Sequence, residues 1–339
     1  MPCQSCIVQE LSVDIKFEGP QNQQMLDDVR NHLNRRDFWF EETEGIMTMT
    51  ESGVKELLDF SQDYMEIEHI DYRFEKSEWK PFSTITHLLD KQWIDEVIQK
   101  KLIVSHSQPI VNRDGEIFAY EILSRFQRED GSVIYPNEIF DAARTRGRLY
   151  ALDRICRLTA VEYAAVLGKK VFINFIPTSI YSPEFCLRST VMLAKKLGID
   201  PSQFVFEVVE SDQVDDIDHL KSILAYYNER GFQYALDDVG EGFSTIEMLE
   251  DIRPHFMKLD MKYVQGVSTD PTKQSVAASF LRKSLEIGSI PLAEGIETME
   301  DFEWLKGLGY ELFQGYLFGK PSAEPQREIK LTKEQISSL

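Results

Sequence analysis

Two short apolar stretches, Lys170-Val-Phe-Ile-Asn-Phe175 and Phe204-Val-Phe-Glu-Val208, decide the expected fold of this chain. Each has the length and the hydrophobic character of a buried strand. The segment between them, Glu184–Leu197, has apolar residues at helical spacing. A strand, a helix and a second strand in this order are typical of an α/β protein with a parallel sheet.

The same alternation continues on both sides of this unit. The other strand-like runs are Leu102–Val111, Glu116–Leu123, Phe232–Leu236, His255–Leu259, Ile290–Ala293 and Leu312–Phe318. The other helix-like segments are Asn137–Leu167, Ile217–Arg230, Thr245–Ile252, Thr272–Ile287 and Met299–Leu308. Eight strands in about 235 residues match a (β/α)8 barrel better than an open doubly wound sheet. The open sheet is also disfavoured because no GxGxxG nucleotide-binding sequence follows the first strand.

The first two strands of this barrel are joined by a shorter connection than the others. They are joined by Asn112-Arg-Asp-Gly115, a turn sequence that is too short to hold a crossover helix. We therefore expect them to pair antiparallel. The predicted fold is a (β/α)8 TIM-like barrel with an antiparallel first strand.

The first 90 residues differ from the rest of the chain in their charge. They carry 19 acidic and 8 basic side chains, whereas the other 249 residues carry 38 and 29. Their apolar pattern predicts the order strand-helix-strand-strand-helix-strand, which fits a small α+β module. We expect an N-terminal accessory or sensory module over residues 1–85, a barrel domain over 86–325 and a C-terminal tail over 326–339. A docking or sensory role and a purely structural cap both fit the first part.

Composition limits the classes of function. The chain has a formal net charge of -20, which disfavours a duplex nucleic acid as a partner because the two would repel each other. No apolar run approaches the roughly 20 residues of a membrane helix, and the N-terminus lacks a signal-peptide pattern, so we expect a cytoplasmic protein. Four cysteines are too few for a disulfide framework. Cys3 and Cys6 form either a pair of free thiols or half of a metal or redox site.

Polar side chains stand at the expected carboxyl ends of nearly all the strands, where barrels of this kind carry their active sites. They are Glu121, Asn174, Glu207, Glu210, Asp237, Asp238, Lys258, Asp260, Glu294, Glu297 and Gln314. Any one of these acids is as readily a solvated loop residue or a helix N-cap. Several acids at one barrel mouth, however, would repel one another unless cations lay between them.

The type of ligand indicates the type of cation. Carboxylate and amide oxygens without His or Cys select hard ions such as Mg²⁺ or Mn²⁺. The number of acids, with Asp237 and Asp238 able to bridge, suggests two ions. By period two, Leu123 and Arg125 share the face of Glu121, and Arg125 has the planar fork that suits a phosphate. Lys258 is either a structural ion-pair partner or a positioner of water and phosphate, and the whole set suits metal-assisted hydrolysis of a phosphate ester.

Several sequence blocks occur in a specific order. They are Gln108-Pro-Ile-Val111, Tyr120-Glu-Ile-Leu-Ser-Arg125, Ile173-Asn-Phe-Ile-Pro177, Phe206-Glu-Val-Val-Glu210, Leu236-Asp-Asp-Val-Gly-Glu-Gly-Phe-Ser-Thr245, Lys258-Leu-Asp260, Ala293-Glu-Gly-Ile-Glu297 and Gln314-Gly-Tyr-Leu-Phe318. Together they resemble the EAL-domain phosphodiesterases, which hydrolyse the bacterial second messenger cyclic di-GMP. The resemblance covers about residues 90–322 and leaves the N-terminal part outside it.

The resemblance implies a role for each matching residue. The implied metal ligands are Glu121, Asn174, Glu207 and Asp237 for a first ion, with Asp237 and Asp238 for a second. The implied catalytic residues are Lys258, which positions water, and Glu294, which is the general base. The implied substrate-binding residues are Gln108, Leu123, Arg125 and Gln314, and the implied anchors of the loop after Asp238 are Glu210 and Glu297. The resemblance also implies linear pGpG as the product and a homodimer formed through the barrel.

Two departures from the family pattern bear on these expectations. Ile122 stands where the family usually has Ala, and by period two it points away from Glu121, so we expect a change of packing only. Val239 stands where the family usually has Phe in the loop motif, so the resemblance leaves loop packing and dimer coupling open at this position. Two alternatives to the hydrolase remain open: a non-catalytic cyclic di-GMP receptor or interaction protein on the same fold, and a metal-dependent barrel enzyme with another substrate.

Overall fold

The structure of the protein, a computed structural model, describes residues 8–74, 77–208, 217–237 and 252–329. The described residues form two compact units. The N-terminal unit comprises residues up to 101 together with 137–151. The barrel unit comprises residues 102–136 and the described residues from 152 onward. The domain bounds expected from the sequence, with a first boundary at residue 85, stay a prediction.

The N-terminal unit is built on a five-stranded antiparallel sheet. Its elements are β1 (Ser12–Phe17), α1 (Pro20–Arg35), β2 (Phe40–Thr43), β3 (Ile46–Thr50), α2 (Glu51–Tyr64), β4 (Ile70–Phe74), β5 (Lys80–Pro81), α3 (Thr86–Leu89) and α4 (Trp93–Gln99). The strand order is β2-β3-β1-β4-β5. The first six elements follow the β-α-β-β-α-β order of a ferredoxin-like module. The predicted α+β module before residue 90 is therefore confirmed.

Alternation of side chains explains how this sheet packs. Val13, Ile15 and Phe17 of β1 are buried in one cluster with residues of α1 and α2, including Val29 and Leu57. The intervening side chains of β1 point to the opposite face, because successive residues of a strand alternate. The helices therefore cover one face of the sheet.

The remaining elements follow along the chain, and except for α5 and the start of α6, which belong to the N-terminal unit, they form the barrel unit. They are β6 (Ile103–Asn112), β7 (Ile117–Gln127), β8 (Val133–Ile134), α5 (Pro136–Thr145), α6 (Leu149–Leu167), β9 (Lys170–Phe175), α7 (Pro183–Cys186), α8 (Arg188–Leu197), β10 (Phe204–Val208), α9 (Ile217–Asn228), β11 (Gln233–Leu236), β12 (Phe256–Leu259), α10 (Met261–Val264), α11 (Pro271–Ile287), β13 (Ile290–Ala293), α12 (Met299–Leu308) and β14 (Leu312–Gln314). No helix within the described ranges is both long enough and apolar enough to cross a membrane.

The sheet of this unit closes on itself. Its order is β6-β14-β13-β12-β11-β10-β9-β7, with β8 paired to the outer part of β7, and a further pairing of β6 with β7 completes the ring. Strand β6 is antiparallel to both of its neighbours, and the other pairs of the ring are parallel. The predicted (β/α)8 barrel with an antiparallel first strand is confirmed.

Two expected elements have different bounds. The single helix expected over Asn137–Leu167 is wrong, because α5 and α6 are separate helices and Gly147 between them has φ +64°. The last strand was expected to reach Phe318 but ends at Gln314, where Gly315 turns the chain. The helix expected over Thr245–Ile252 lies almost entirely outside the described residues.

A buried arginine explains the break between α5 and α6. Arg146 is fully buried in the N-terminal unit, and its guanidinium donates to Oε1 and Oε2 of Glu51 at 2.6 and 2.7 Å. It also donates to Asp95 Oδ2 at 2.6 Å and to the Leu88 carbonyl at 2.9 Å. Arg148 donates to the other oxygen of Asp95 at 2.8 Å. These partners come from distant parts of the sequence, which is why helical spacing alone did not reveal the break.

Candidate active site

The interior of the barrel contains an apolar layer with a polar layer directly above it. The apolar layer has one side chain from each strand of the ring: Ile110, Ala119, Phe172, Val205, Ala235, Phe256, Leu292 and Leu312. On each of the parallel strands, the residue two positions after the apolar-layer residue is polar. On β6, which runs in the opposite direction, the polar residue lies two positions before the apolar-layer residue. These residues are Gln108, Glu121, Asn174, Glu207, Asp237, Lys258, Glu294 and Gln314. Because side chains two apart share a face, the strands place all eight polar groups on the interior side of the barrel mouth.

Lys258 lies at the centre of the acidic part of this layer. Its Nζ atom is 2.7 Å from Oε1 of Glu207, 3.2 Å from Oδ1 of Asp237 and 2.5 Å from Oε1 of Glu294. Lys258 is 1% exposed and Glu207 is 0% exposed. A buried ammonium held by three carboxylates, one on β10 and two directly after β11 and β13, is an ion-pair cluster that water screens only weakly.

Burial and the neighbouring charges shift the pKa values of these groups in defined directions. Burial alone would lower the pKa of Lys258, but Asp237, Glu207 and Glu294 raise it well above its usual value. Burial raises the pKa of Glu207, and burial together with the charge of Asp237 raises the pKa of Glu294. Lys258 therefore keeps its positive charge, and the raised pKa makes the carboxylate of Glu294 a stronger base.

A second part of the layer is a chain of amide groups around Glu121. Asn174 Nδ2 donates to Glu121 Oε1 at 2.9 Å, and Gln314 Nε2 donates to Glu121 Oε2 at 2.6 Å and to Gln108 Oε1 at 3.1 Å. Gln108 in turn donates to the Gly319 carbonyl at 3.1 Å. Burial would raise the pKa of Glu121, but Lys258 and the two amide donors lower it overall. Glu121 is thus held as a carboxylate.

The donor set fits a hard divalent cation by its chemistry. Glu121, Glu207, Asp237 and Asn174 offer carboxylate and amide oxygens, which Mg²⁺ and Mn²⁺ prefer. Oε2 of Glu207 and Oε1 of Gln314 are buried and have no hydrogen-bond partner among the described residues. Within those residues, however, no three Asp, Glu, His or Cys side chains form a group that could hold a metal ion. In this structure three of the acids converge on Lys258 instead.

The other expected site residues have different positions. Leu123 and Arg125 follow Glu121 on its own face of β7, and Nη1 of Arg125 donates to the Ser124 carbonyl at 3.0 Å. Glu297 is exposed, and Nε2 of Gln265 lies 3.3 Å from its Oε1. The remaining sequence-based expectations fall outside the described residues: Glu210, Asp238, Val239, Cys3 and Cys6.

Two further residues differ in role from the acids of the mouth. Ile122 is buried in the apolar cluster between the barrel and its helices, on the face opposite to Glu121, as period two predicts. Asp260 accepts the backbone N–H of Lys262 at 2.6 Å and caps α10. Asp260 is thus a helix N-cap, which is one of the two alternatives that the sequence left for any single acid at a strand end.

A buried ion pair on α6 supports the loop that follows Asn174, and the sequence reasoning missed it. Asp153 Oδ1 accepts the backbone N–H of Ile176 at 3.0 Å, and its Oδ2 accepts Nε of Arg157 at 2.9 Å. Arg157 is 2% exposed and also donates to Thr190. The i, i+4 spacing of an acid and an arginine on a helix with apolar neighbours was the available signal.

Gly315 allows β14 to pack against the loop that carries Glu294. The Ile296 N–H donates to the Gln314 carbonyl at 3.0 Å, and the Leu317 N–H donates to the Ile296 carbonyl at 3.0 Å. A Cβ at Gly315 would lie 2.0 Å from the Ile296 oxygen. Only glycine permits this approach, which holds together two segments of the site.

Comparison with known proteins follows the same part of the chain. The sequence matches the EAL domain over residues 91–321. It is 27% identical over 243 residues to cyclic di-GMP phosphodiesterase PdeF of Escherichia coli K12, and 28% identical over 241 residues to the probable cyclic di-GMP phosphodiesterase PdeG of the same organism. These matches cover 69% and 67% of this chain but 32% and 47% of the relatives, so the chain spans about a third to a half of their length.

A solved structure gives a match of higher identity. It is the c-di-GMP-bound form of a standalone versatile EAL protein from Vibrio cholerae O395, which is 36% identical to this chain with a TM-score of 0.58. The match covers 65% of this chain and 92% of that protein. Residues 91–321, which match the EAL domain, include every strand of the barrel and its whole polar layer. The chain therefore belongs to the EAL-domain family.

Proposed function

We propose that this chain hydrolyses cyclic di-GMP to linear pGpG in a reaction that depends on Mg²⁺ or Mn²⁺. The observation that carries the proposal is the complete polar layer, in which Lys258 contacts Glu207, Asp237 and Glu294 while Glu121 is held beside them. Membership of the EAL-domain family supports the choice of substrate, because relatives named cyclic di-GMP phosphodiesterases share it.

The residues that would hold the metal ions are those with oxygen donors in the polar layer. They are Glu121, Asn174, Glu207 and Asp237 for one ion, with Asp237 and Asp238 for a second. Bound ions would supply positive charge to the phosphate and acidify water.

The chain's own residues then have separate tasks. Glu294 accepts the proton of the attacking water while the bond from that oxygen to phosphorus forms and the bond from phosphorus to the 3′ oxygen breaks, and the leaving 3′ oxygen takes a proton from solvent water to become a hydroxyl. Lys258 holds the carboxylate of Glu294 in place at 2.5 Å and adds positive charge beside the phosphate. Gln108, Leu123, Arg125 and Gln314 contact the substrate, and the guanidinium of Arg125 matches a phosphate. Glu210 and Glu297 anchor the loop that follows Asp238.

The test is incubation of the purified protein with cyclic di-GMP and Mn²⁺, with products resolved by chromatography. We expect pGpG from the wild type, and at least a 100-fold loss in Glu121→Ala, in Glu294→Gln and after chelation by EDTA. Glu311→Gln is the matched control and should keep full activity, since Glu311 is an exposed acid directly before β14 and outside the polar layer.

Two outcomes would contradict the proposal. If wild type binds cyclic di-GMP but leaves it intact, the chain is a receptor on the same fold. If a calorimetric titration shows no binding, the barrel acts on another substrate. Homodimerisation through the barrel stays a prediction, which light scattering of the purified protein tests.

A further inference from the structure

The hairpin of β6 and β7 continues beyond the polar layer of the barrel. Strand β7 pairs with β9 only over Ala119–Ile122, and β6 pairs with β14 only over Ile110–Asn112. The pairing of β6 with β7, in contrast, extends to Ile103 opposite Phe126. The outer half of the hairpin is therefore a ribbon of β6 and β7 that projects past the carboxyl ends of the parallel strands, with the short β8 paired to its end at Phe126 and Gln127.

The register defines which side chains share a face of this ribbon. Gln108 is opposite Glu121, His106 is opposite Leu123, and Val104 is opposite Arg125. Directly opposed residues lie on the same face, and so do residues two apart. His106 thus lies on the face of Glu121 and Gln108, about 7 Å further from the apolar layer at 3.4 Å per residue.

The opposite face of the ribbon is closed by packing. Ser105, Ser107, Ile122 and Phe126 lie on that face and are buried. On the face of His106, Gln108 and Glu121 are buried at the polar layer, whereas Val104, Leu123 and Arg125 further out are exposed or half-buried. Among the described residues, the side of the ribbon that carries His106 is therefore the more open one toward a ligand at the barrel mouth.

The imidazole of His106 is held in place by the segment after β14. Ser107 and Ser322 exchange two backbone hydrogen bonds of 2.8 and 3.1 Å. His106 forms a hydrogen bond with the backbone of Pro321, which has no N–H and so accepts through its carbonyl. Burial and the charge of Arg125 lower the pKa of His106, which favours the neutral ring. In a neutral imidazole with one nitrogen donating, the other nitrogen is an acceptor.

We propose that His106 recognises a guanine base of the substrate by accepting a hydrogen bond from its N1–H or its 2-amino group. This inference rests on the proposed function, because it assumes that the scissile phosphate lies at the polar layer. An adenine base offers neither donor at those positions, so the contact would distinguish guanine from adenine. His106 is then a specificity-determining residue next to Gln108, Leu123 and Arg125.

The test compares two substrates that share a phosphodiester but not a base. Cyclic di-GMP and bis(p-nitrophenyl) phosphate are each assayed with wild type, His106→Ala, His106→Gln and the control Ser105→Ala. For His106→Ala we expect KM for cyclic di-GMP to rise about tenfold with little change in kcat, and the small phosphodiester to be cleaved as by wild type. His106→Gln keeps an acceptor and should recover part of the loss. Ser105→Ala, on the closed face, should behave as wild type.

Each other result has a defined meaning. Unchanged kinetics of His106→Ala with cyclic di-GMP would overturn the inference. An equal loss on both substrates would also overturn it, because His106 would then support the ribbon and not the base. If wild type does not cleave cyclic di-GMP, the proposed function fails, and the contact of His106 is then tested by calorimetric titration with cyclic di-GMP. A tenfold weaker affinity of His106→Ala than of wild type supports the contact. Equal affinities of the two proteins, or no binding by wild type, reject it.

Discussion

The ammonium of Lys258 on β12 lies 2.5 Å from the carboxylate of Glu294, the residue that directly follows the neighbouring strand β13. Lys258 reaches Glu207 and Asp237 with the same nitrogen. One cation therefore compensates three acids in the interior of the barrel, where an unpaired charge is strongly unfavourable. Any metal ion that binds the same acids must share them with this lysine.

Replacing Lys258 by methionine tests how far the acids depend on it. Lys258→Met keeps the length of the side chain but removes its charge, so Glu207 and Glu294 lose their buried partner. We expect the free energy of unfolding to fall by about 3–5 kcal/mol at neutral pH. Urea unfolding with and without Mn²⁺ measures this, and added Mn²⁺ should restore more stability to the variant than to wild type.

The matched control is Lys100→Met. Lys100 is paired with Glu96 on the exposed surface of α4, so its loss should change stability by about 0.5 kcal/mol or less. Equal stability of Lys258→Met and wild type in metal-free buffer would show that the cluster of acids does not need the lysine.

Gly315→Ala tests the contact between the end of β14 and the loop of Glu294. The new methyl group would lie 2.0 Å from the Ile296 oxygen, so one of the two segments must move. We expect a loss of at least 2 kcal/mol in the free energy of unfolding and a larger fall in kcat than in substrate affinity, because Glu294 is displaced. The measurements are thermal unfolding and steady-state kinetics.

A nearby glycine provides the control for Gly315. Gly307 lies within α12 and has open space where a Cβ would be, so Gly307→Ala should be neutral or stabilising. If Gly315→Ala retained wild-type kinetics and stability, the close approach to Ile296 would not be important for the site.

The strands were predictable from the sequence where both faces are buried. The expected bounds of β9, β10 and β13 agree with the structure, since a short continuous apolar run with turn residues on either side is unambiguous inside a barrel. The break at Arg146 had a local signal in Gly147, whose φ of +64° ends α5, but the contacts of Arg146 with Glu51 and Asp95 were not predictable, because these residues are distant in sequence. Period and composition describe local preference and do not reveal such long-range partners.

The residues that form the site were easier to predict from the sequence than the contacts between them. Period two places Glu121, Glu207 and Glu294 on the inner face of their strands, because each lies two residues from an apolar layer residue. The meeting of three acids at the single nitrogen of Lys258 depends on the stagger of neighbouring strands, which a single sequence does not specify. From the sequence alone, metal ions are therefore the expected source of compensating charge, and the part played by Lys258 stays open.

The carboxylate of Asp301 gives a prediction about pH. Burial would raise its pKa, but the backbone N–H groups of Ser268 and Gly266 and the Thr298 hydroxyl lower it overall. A lowered pKa in the folded state stabilises the protein above the unfolded pKa of about 3.9, and this contribution is lost as the pH falls toward the folded value. Asp301→Asn should therefore cost about 1–3 kcal/mol at pH 7 and less below about pH 4.

Urea unfolding at pH 7 and near pH 3.5 measures the difference between Asp301→Asn and wild type. The exposed neighbour Glu300, changed to Gln, is the control and should show little difference at either pH. A cost for Asp301→Asn that is the same at both values would mean that the charge of the carboxylate is not what stabilises this loop.

The last prediction concerns the buried arginine of the N-terminal unit. Glu51→Gln removes one of the two charges that compensate Arg146, whose side chain is fully buried, so the contact that holds residues 137–151 in this unit is weakened. We expect backbone amides of residues 137–151 to exchange hydrogen at least tenfold faster, measured by mass spectrometry of peptides. Glu41→Gln, which changes an exposed acid of β2, should leave that exchange unchanged. Unchanged exchange in Glu51→Gln would mean that Asp95 and the Leu88 carbonyl suffice to hold Arg146, and a fragment starting near residue 85 would then be expected to keep this segment folded.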